Sequence, residues 1–147
     1  MATSDTYVYI EWNKKFEIGI QTIDEQHKKL IQIINTLYSA LMTEPTDNNK
    51  IRISLQESTD YVKTHFAFEE KLMRAVNYPD FIPHKRQHDE YIMKIIDAAK
   101  GLKNGDIKAG FAFVKFLCDW LLYHIAYTDT LYVKDVLNYY KNTQQKT

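Results

Sequence analysis

The stretch IQTIDEQHKKLIQIINTLYSALM, residues 20–42, decides the fold class. Its apolar residues Ile20, Ile23, Leu30, Ile34, Leu37 and Leu41 recur at spacings of three and four, the rhythm of one helix face against a core. Thr22 and Glu25 have the spacing of a capping box at its start. One residue on the apolar face is out of character: His27 falls in the gap between Ile23 and Leu30.

The same pattern repeats along the chain. A second helix is predicted over residues 50–76, with Ile51, Leu55, Val62, Leu72 and Val76 in its stripe. A third is predicted over 84–102, with Ile92, Ile95 and Ala99 inward and the stripe passing through Tyr91 or Ile92. A fourth starts at Ile107 and runs past His124, with Phe113, Leu117 and Trp120 inward. A further helical piece covers 131–140. The breaks are short and polar: residues 43–49, 77–83 and 104–106. Only four glycines and three prolines occur, which argues against a turn-rich β fold. Matched helices joined by short connections favour an all-α, up-down-up-down four-helix bundle. Its expected extent is about residues 20–130. An extended N-terminal arm, 1–19, would be anchored by Trp12 and Phe16, and a short helical tail would occupy 131–147. The whole of 1–147 reads as one domain, the expected count for 147 residues.

Bulk properties exclude several function classes. Nineteen basic and nineteen acidic side chains balance, so there is no electrostatic footprint for nucleic acid or an anionic membrane. No run approaches the roughly 20 apolar residues of a membrane span, and the N-terminus lacks the pattern of a signal peptide. The single cysteine, Cys118, allows no internal disulfide and reads as a small core or helix-face residue. A cytoplasmic protein with no nucleic-acid partner and no membrane insertion is the expectation.

The chemistry lies in the residues that interrupt the stripes. His27 does so in the first helix, His65 and Glu69 in the second, His84 and His88 in the third, and His124 in the fourth. These are all five histidines of the chain. One inward histidine is more often a hydrogen-bonded core residue than a ligand. Five on four stripes would make a poor core, because a buried imidazole without a partner is costly and a buried carboxylate more so. A metal cluster removes the difficulty by accepting the lone pairs of neutral imidazoles and offsetting the carboxylate charge. Residues four apart lie only about 40° apart around a helix, so His84 and His88 can share a metal, as can His65 and Glu69. Asp129 follows His124 by five, which on a straight helix points it about 140° away. If both serve one cluster, the helix must end, kink or carry a π-bulge between them.

These motifs resemble those of the hemerythrins, in particular the single-domain bacterial hemerythrins. The resemblance rests on Trp12-Asn13 with Gly19-Ile20, on the run from Ile23 to Leu30, on His65-Phe66-Ala67-Phe68-Glu69-Glu70, on Pro83-His84-Lys85-Arg86-Gln87-His88, and on the run from Trp120 to Asp129. It covers about residues 8–132. It implies that His84, His88 and His124 bind one iron ion and that His27 and His65 bind a second. It further implies that Glu69 and Asp129 bridge the pair together with an oxo or hydroxo group, and that Leu30, Phe66, Trp120 and Leu121 line an oxygen pocket. The loop before the fourth helix and the tail look longer than in the invertebrate carriers, so the carriers' subunit assembly is not carried over.

Carboxylate-rich di-iron bundles use Glu-x-x-His pairs, and this chain has none. Five neutral nitrogens stabilise high-valent iron less than carboxylates would, which favours a ferrous–ferric shuttle. The expected function is reversible binding of molecular oxygen, as a carrier or store serving an oxygen-consuming enzyme, and not an enzyme itself. A sensor of oxygen, nitric oxide or redox state acting through a partner, and a di-iron oxidase, are the alternatives. A sensor would need an output domain for which the chain has little room, and no poised acid or base suggests turnover.

Overall fold

The computed structural model describes residues 7–144, and within them it is helical. Four long helices, α1 (Gln21–Met42), α2 (Asn48–Ala75), α3 (Phe81–Lys103) and α4 (Ile107–Trp120), follow one another through short connections. A π segment, Leu121–Thr128, extends α4, and α5 (Thr130–Gln144) closes the chain. In the ring α1–α2–α3–α4, each helix packs on its two neighbours and α4 returns to α1, so the bundle is closed. Among the described residues, no helix is long and apolar enough to cross a membrane.

The N-terminal segment is described from residue 7. Residues 7–13 are irregular and end in a short 3-10 turn, Lys14–Phe16. Asn35 of α1 clamps it: its side-chain oxygen accepts from the amides of Tyr9 (2.8 Å) and Ile10 (3.0 Å), and its amide donates to the Ile10 carbonyl (2.8 Å). Phe16 is buried and Trp12 half-buried, with ring centroids 5.9 Å apart. Residues 1–6 of the expected arm and 145–147 of the expected tail lie outside the described residues.

Helix ends follow local chemistry, with two departures from expectation. Asp47 caps α2 by accepting from the Lys50 amide (3.0 Å), and Asp106 caps α4 through the Ala109 amide (3.3 Å). The Thr22–Glu25 capping box does not form, because α1 starts at Gln21 with Ile20 as its N-cap. Asp24, inside the first turn, reaches back to the amides of Ile18 (2.8 Å) and Gly19 (3.3 Å). The second departure is α3, which starts at Phe81 rather than His84. Pro83 sits in the first turn, where its missing N–H costs no intrahelical bond.

The apolar stripes are partly displaced from their expected positions. In α3 the inward row is His84, His88, Tyr91, Ile95 and Ala98, so Ile92 is 38% exposed and Ala99 only half-buried. The inward row of α2 is Ile51, Ser54, Ser58, Tyr61, His65, Glu69 and Leu72, whereas Leu55, Val62 and Val76 are half-buried. Small and polar residues take core positions that a search for apolar periodicity passes over. Ser58 meets the cost by donating to the Ser54 carbonyl one turn back (2.9 Å).

The core is divided in two. A large apolar cluster, with Leu30, Ile34, Leu37, Phe66, Phe113 and Leu117 among its members, fills one end of the bundle. A smaller one, including Ile23, Leu72, Met73, Tyr132 and Val136, fills the other end under α5. Between them lies a layer of buried polar side chains.

Candidate metal centre

Every sequence-predicted ligand candidate falls in that polar layer. His27, His65, Glu69, His84, His88, His124 and Asp129 are all buried. α1 supplies His27, α2 supplies His65 and Glu69 one turn apart, and α3 supplies His84 and His88 one turn apart. The π segment supplies His124. The Asp129 amide donates to the His124 carbonyl at 2.7 Å, the five-residue bond of a π turn. This widened turn brings Asp129 onto the face of His124, which a straight α-helix could not do.

Their ligand atoms form two groups. Glu69, His84, His88 and His124 present donor atoms within 4.8 Å of one another, and so do His27, His65, Glu69 and Asp129. Glu69 belongs to both: one oxygen touches His65 Nε2 and the other lies 3.1 Å from His84 Nε2. Asp129 also spans them, with Oδ1 2.9 Å from His124 and 3.0 Å from His84, and Oδ2 3.4 Å from His27.

The charge balance follows from this packing. For Asp129, burial pushes the carboxyl up, but His124, His27 and His84 outweigh it and hold it well below the usual carboxylate range. Burial and Asp129 also push Glu69 up, and His65 and His84 bring it below its ordinary value. Burial lowers His84, yet the carboxylates of Asp129 and Glu69 beside it raise it to about 9. At His88 burial prevails over Glu69 and brings the ring down to about 3, leaving a neutral imidazole.

A second ring of partners, not anticipated from sequence, orients three of the imidazoles. His65 Nδ1 meets Gln26 Oε1 at 2.6 Å, His124 Nδ1 meets Gln87 Oε1 at 2.6 Å, and His88 Nδ1 meets Glu70 Oε2 at 3.3 Å. Carbonyl and carboxylate oxygens can only accept, so Nδ1 carries the proton and Nε2 keeps its lone pair for the centre. A signal for two of them was present: Gln-His occurs twice, at Gln26-His27 and Gln87-His88. Each glutamine supports a histidine of the next helix.

The fit to metal ions is a matter of orphaned atoms. His27 Nε2, His65 Nε2, His88 Nε2, His124 Nε2, Glu69 Oε1 and both Asp129 oxygens are buried without a hydrogen-bond partner. So many unsatisfied donor atoms converging on one layer match a cation-binding centre and no packed apolar core.

Aromatic rings cover the layer on the side of the large cluster. Phe66 stacks on His88 at 3.8 Å and Trp120 on His124 at 3.9 Å. Leu30 and Leu121 are buried in the same cluster. Tyr61, also unanticipated although it precedes His65 by one turn, stacks on that ring at 4.9 Å. On the other side Tyr132 is fully buried, 5.6 Å from the His84 ring. Burial, then Glu69 and Asp129, hold its phenol well above its usual value. Burial also raises the Cys118 thiol, consistent with a packing role.

A closed helical bundle with a histidine–carboxylate layer at its middle defines a metal-binding bundle protein. The Hemerythrin HHE cation binding domain family matches residues 18–136, and the chain belongs to that family. It is 32% identical over 128 residues to a bacteriohemerythrin of Pseudomonas paraeruginosa, covering 87% of this chain and 82% of that one. Over 121 residues it is 35% identical to a hemerythrin-like protein of Naegleria gruberi, covering 82% and 88%. Among solved structures, the crystal structure of a hemerythrin point mutant superposes with a TM-score of 0.76 at 27% identity, covering 88% of this chain and 98% of that one.

Proposed function

We propose that the chain holds two iron ions in its polar layer and binds molecular oxygen reversibly, as a carrier or store supplying an oxygen-consuming enzyme. The observation that carries this reading is the unequal division of imidazoles between two groups of four that share Glu69 and are both reached by Asp129. One group has three imidazoles, His84, His88 and His124; the other has two, His27 and His65. In this reading Glu69 and Asp129 bridge them. Iron supplies the ferrous–ferric couple that lets oxygen bind and leave.

The chain's own residues do the rest. The side with fewer nitrogens keeps room for an outside ligand, as metal sites with an open position do. Leu30, Phe66, Trp120 and Leu121 would enclose the approach to it and exclude bulk water. Gln26, Gln87 and Glu70 hold His65, His124 and His88 in one tautomer. Among the described residues, the carboxylates of the centre, Glu69 and Asp129, face its imidazoles rather than standing poised as a general acid or base, which favours a carrier over an oxidase.

The test is metal analysis of purified protein together with absorption spectra cycled between air and argon, beside oxygen-consumption assays. Two irons per chain and a band that appears in air, fades under argon and returns are expected. Continuous consumption of oxygen without a reversible band would replace the carrier reading with an oxidase.

A further inference from the structure

Polar atoms above the metal layer are left unused by the oxygen-binding reading. The hydroxyls of Tyr61 and Tyr91 and the indole nitrogen of Trp120 are buried, and none closes a hydrogen bond within the protein. Phenylalanine at either tyrosine position would fill the space without leaving a donor unpaired. Such a donor is tolerated where something else accepts from it.

Tyr61 differs from the other two. Its ring stacks on His65 at 4.9 Å and 16°, on the two-histidine side of the layer. A surface cleft of about 340 Å³ between α1 and α2 reaches the same residue. The hydroxyl nevertheless has no solvent contact, and the Tyr61 ring packs against Phe66 and against Tyr91 of α3, with ring centroids 6.2 Å and 6.1 Å apart. The neighbouring Trp120 N–H can only donate, so it cannot accept the Tyr61 proton. This leaves the proton of Tyr61 without a direction inside the protein. The Tyr91 hydroxyl, by contrast, faces Ser58.

We propose that the Tyr61 hydroxyl is a hydrogen-bond donor to the ligand in the oxygen pocket. The inference rests on the oxygen-binding reading and deepens it. Such a donor selects small ligands whose outer atom carries a lone pair and negative charge, as dioxygen does on taking up electron density and as azide does. Hydrogen bonds to charged acceptors are the stronger kind, so the donor lengthens the stay of these ligands and discriminates against uncharged ones of equal size.

Tyr61→Phe keeps the ring and its stacking on His65 and removes only the hydroxyl. Azide is titrated into the iron-loaded full chain, wild type and variant, followed by absorbance. Azide affinity is expected to fall about tenfold, through faster dissociation, with iron content unchanged. Thermal unfolding of the metal-free chains gives a second readout: the variant should unfold at the same temperature or higher, because an unpaired hydroxyl has been removed. Affinity within about twofold of wild type, or a metal-free variant that melts several degrees lower, would overturn the proposal, since the hydroxyl would then be idle or bonded inside the protein. An iron-loaded wild type that takes up no azide would overturn the pocket reading along with it. Wild-type uptake with an unaffected variant removes the donor alone.

Discussion

Glu69 is the residue on which both halves of the centre depend, with one oxygen toward His65 and the other toward His84. Glu69→Gln keeps the volume but removes the charge and turns one acceptor into a donor. Iron per chain is expected to fall, read by metal analysis, since ligation needs deprotonated donors. A full complement of iron with an unchanged spectrum would refute the proposed bridging role. In the proposed pocket, Leu121 would act by shape alone. It is fully buried in the apolar cluster beside Trp120, and Leu121→Trp should fill the pocket without touching a donor atom. Iron content is expected to stay as in wild type while azide and oxygen uptake are lost. Uptake at the wild-type level would place the pocket elsewhere.

Among the elements, the π segment carries the most function per residue. It lets one stretch of chain deliver both His124 and Asp129, five residues apart, to the same layer. One alanine inserted after Tyr127 would turn Asp129 off that face by roughly 100°, one residue's rotation. Loss of bound iron with nearly unchanged helical circular dichroism is the expected outcome; retention of all iron would show that the backbone re-forms the wide turn around any spacing. The caps make a separate contribution to stability. Asp106→Ala removes the acceptor for the Ala109 amide at the start of α4. It should cost about 1 kcal/mol in denaturant unfolding, with iron content unaffected because the cap lies far along α4 from His124.

For the whole molecule, the polar layer is a fault between two apolar clusters, and its contents set the stability of the bundle. Without a cation, orphaned imidazole nitrogens and carboxylate oxygens remain buried. A ligand that binds only the folded state stabilises it by mass action, by about 2.7 kcal/mol at a free concentration one hundred times its Kd. Removing iron with a chelator should therefore lower the melting temperature, and restoring ferrous iron under argon should raise it again. Equal melting temperatures for the loaded and stripped protein would mean that the layer is satisfied without metal.

The sequence by itself determined the helical class, the number of bundle helices and the inward placement of five histidines and Glu69, whereas Asp129 entered only through the resemblance to the hemerythrins. The rest is written in a one-dimensional period: three and four for the stripes, and a polar side chain where the stripe demands an apolar one. The spacing of His124 and Asp129 even required a break in the α-helix, and the π segment supplies it. The tertiary structure decided what depends on neighbours. Ser54, Ser58 and Tyr61 replaced Leu55 and Val62 on the inward face of α2, because small or polar side chains enter a core wherever packing and local hydrogen bonds allow, and hydrophobic periodicity does not register them. Asp24 overrode the expected capping box by bonding backward to the arm. The supports from Gln26, Gln87 and Glu70 span adjacent helices, so no periodicity along one helix reveals them. They exist only once the bundle closes and sets α1 against α2, α2 against α3, and α3 against the π segment.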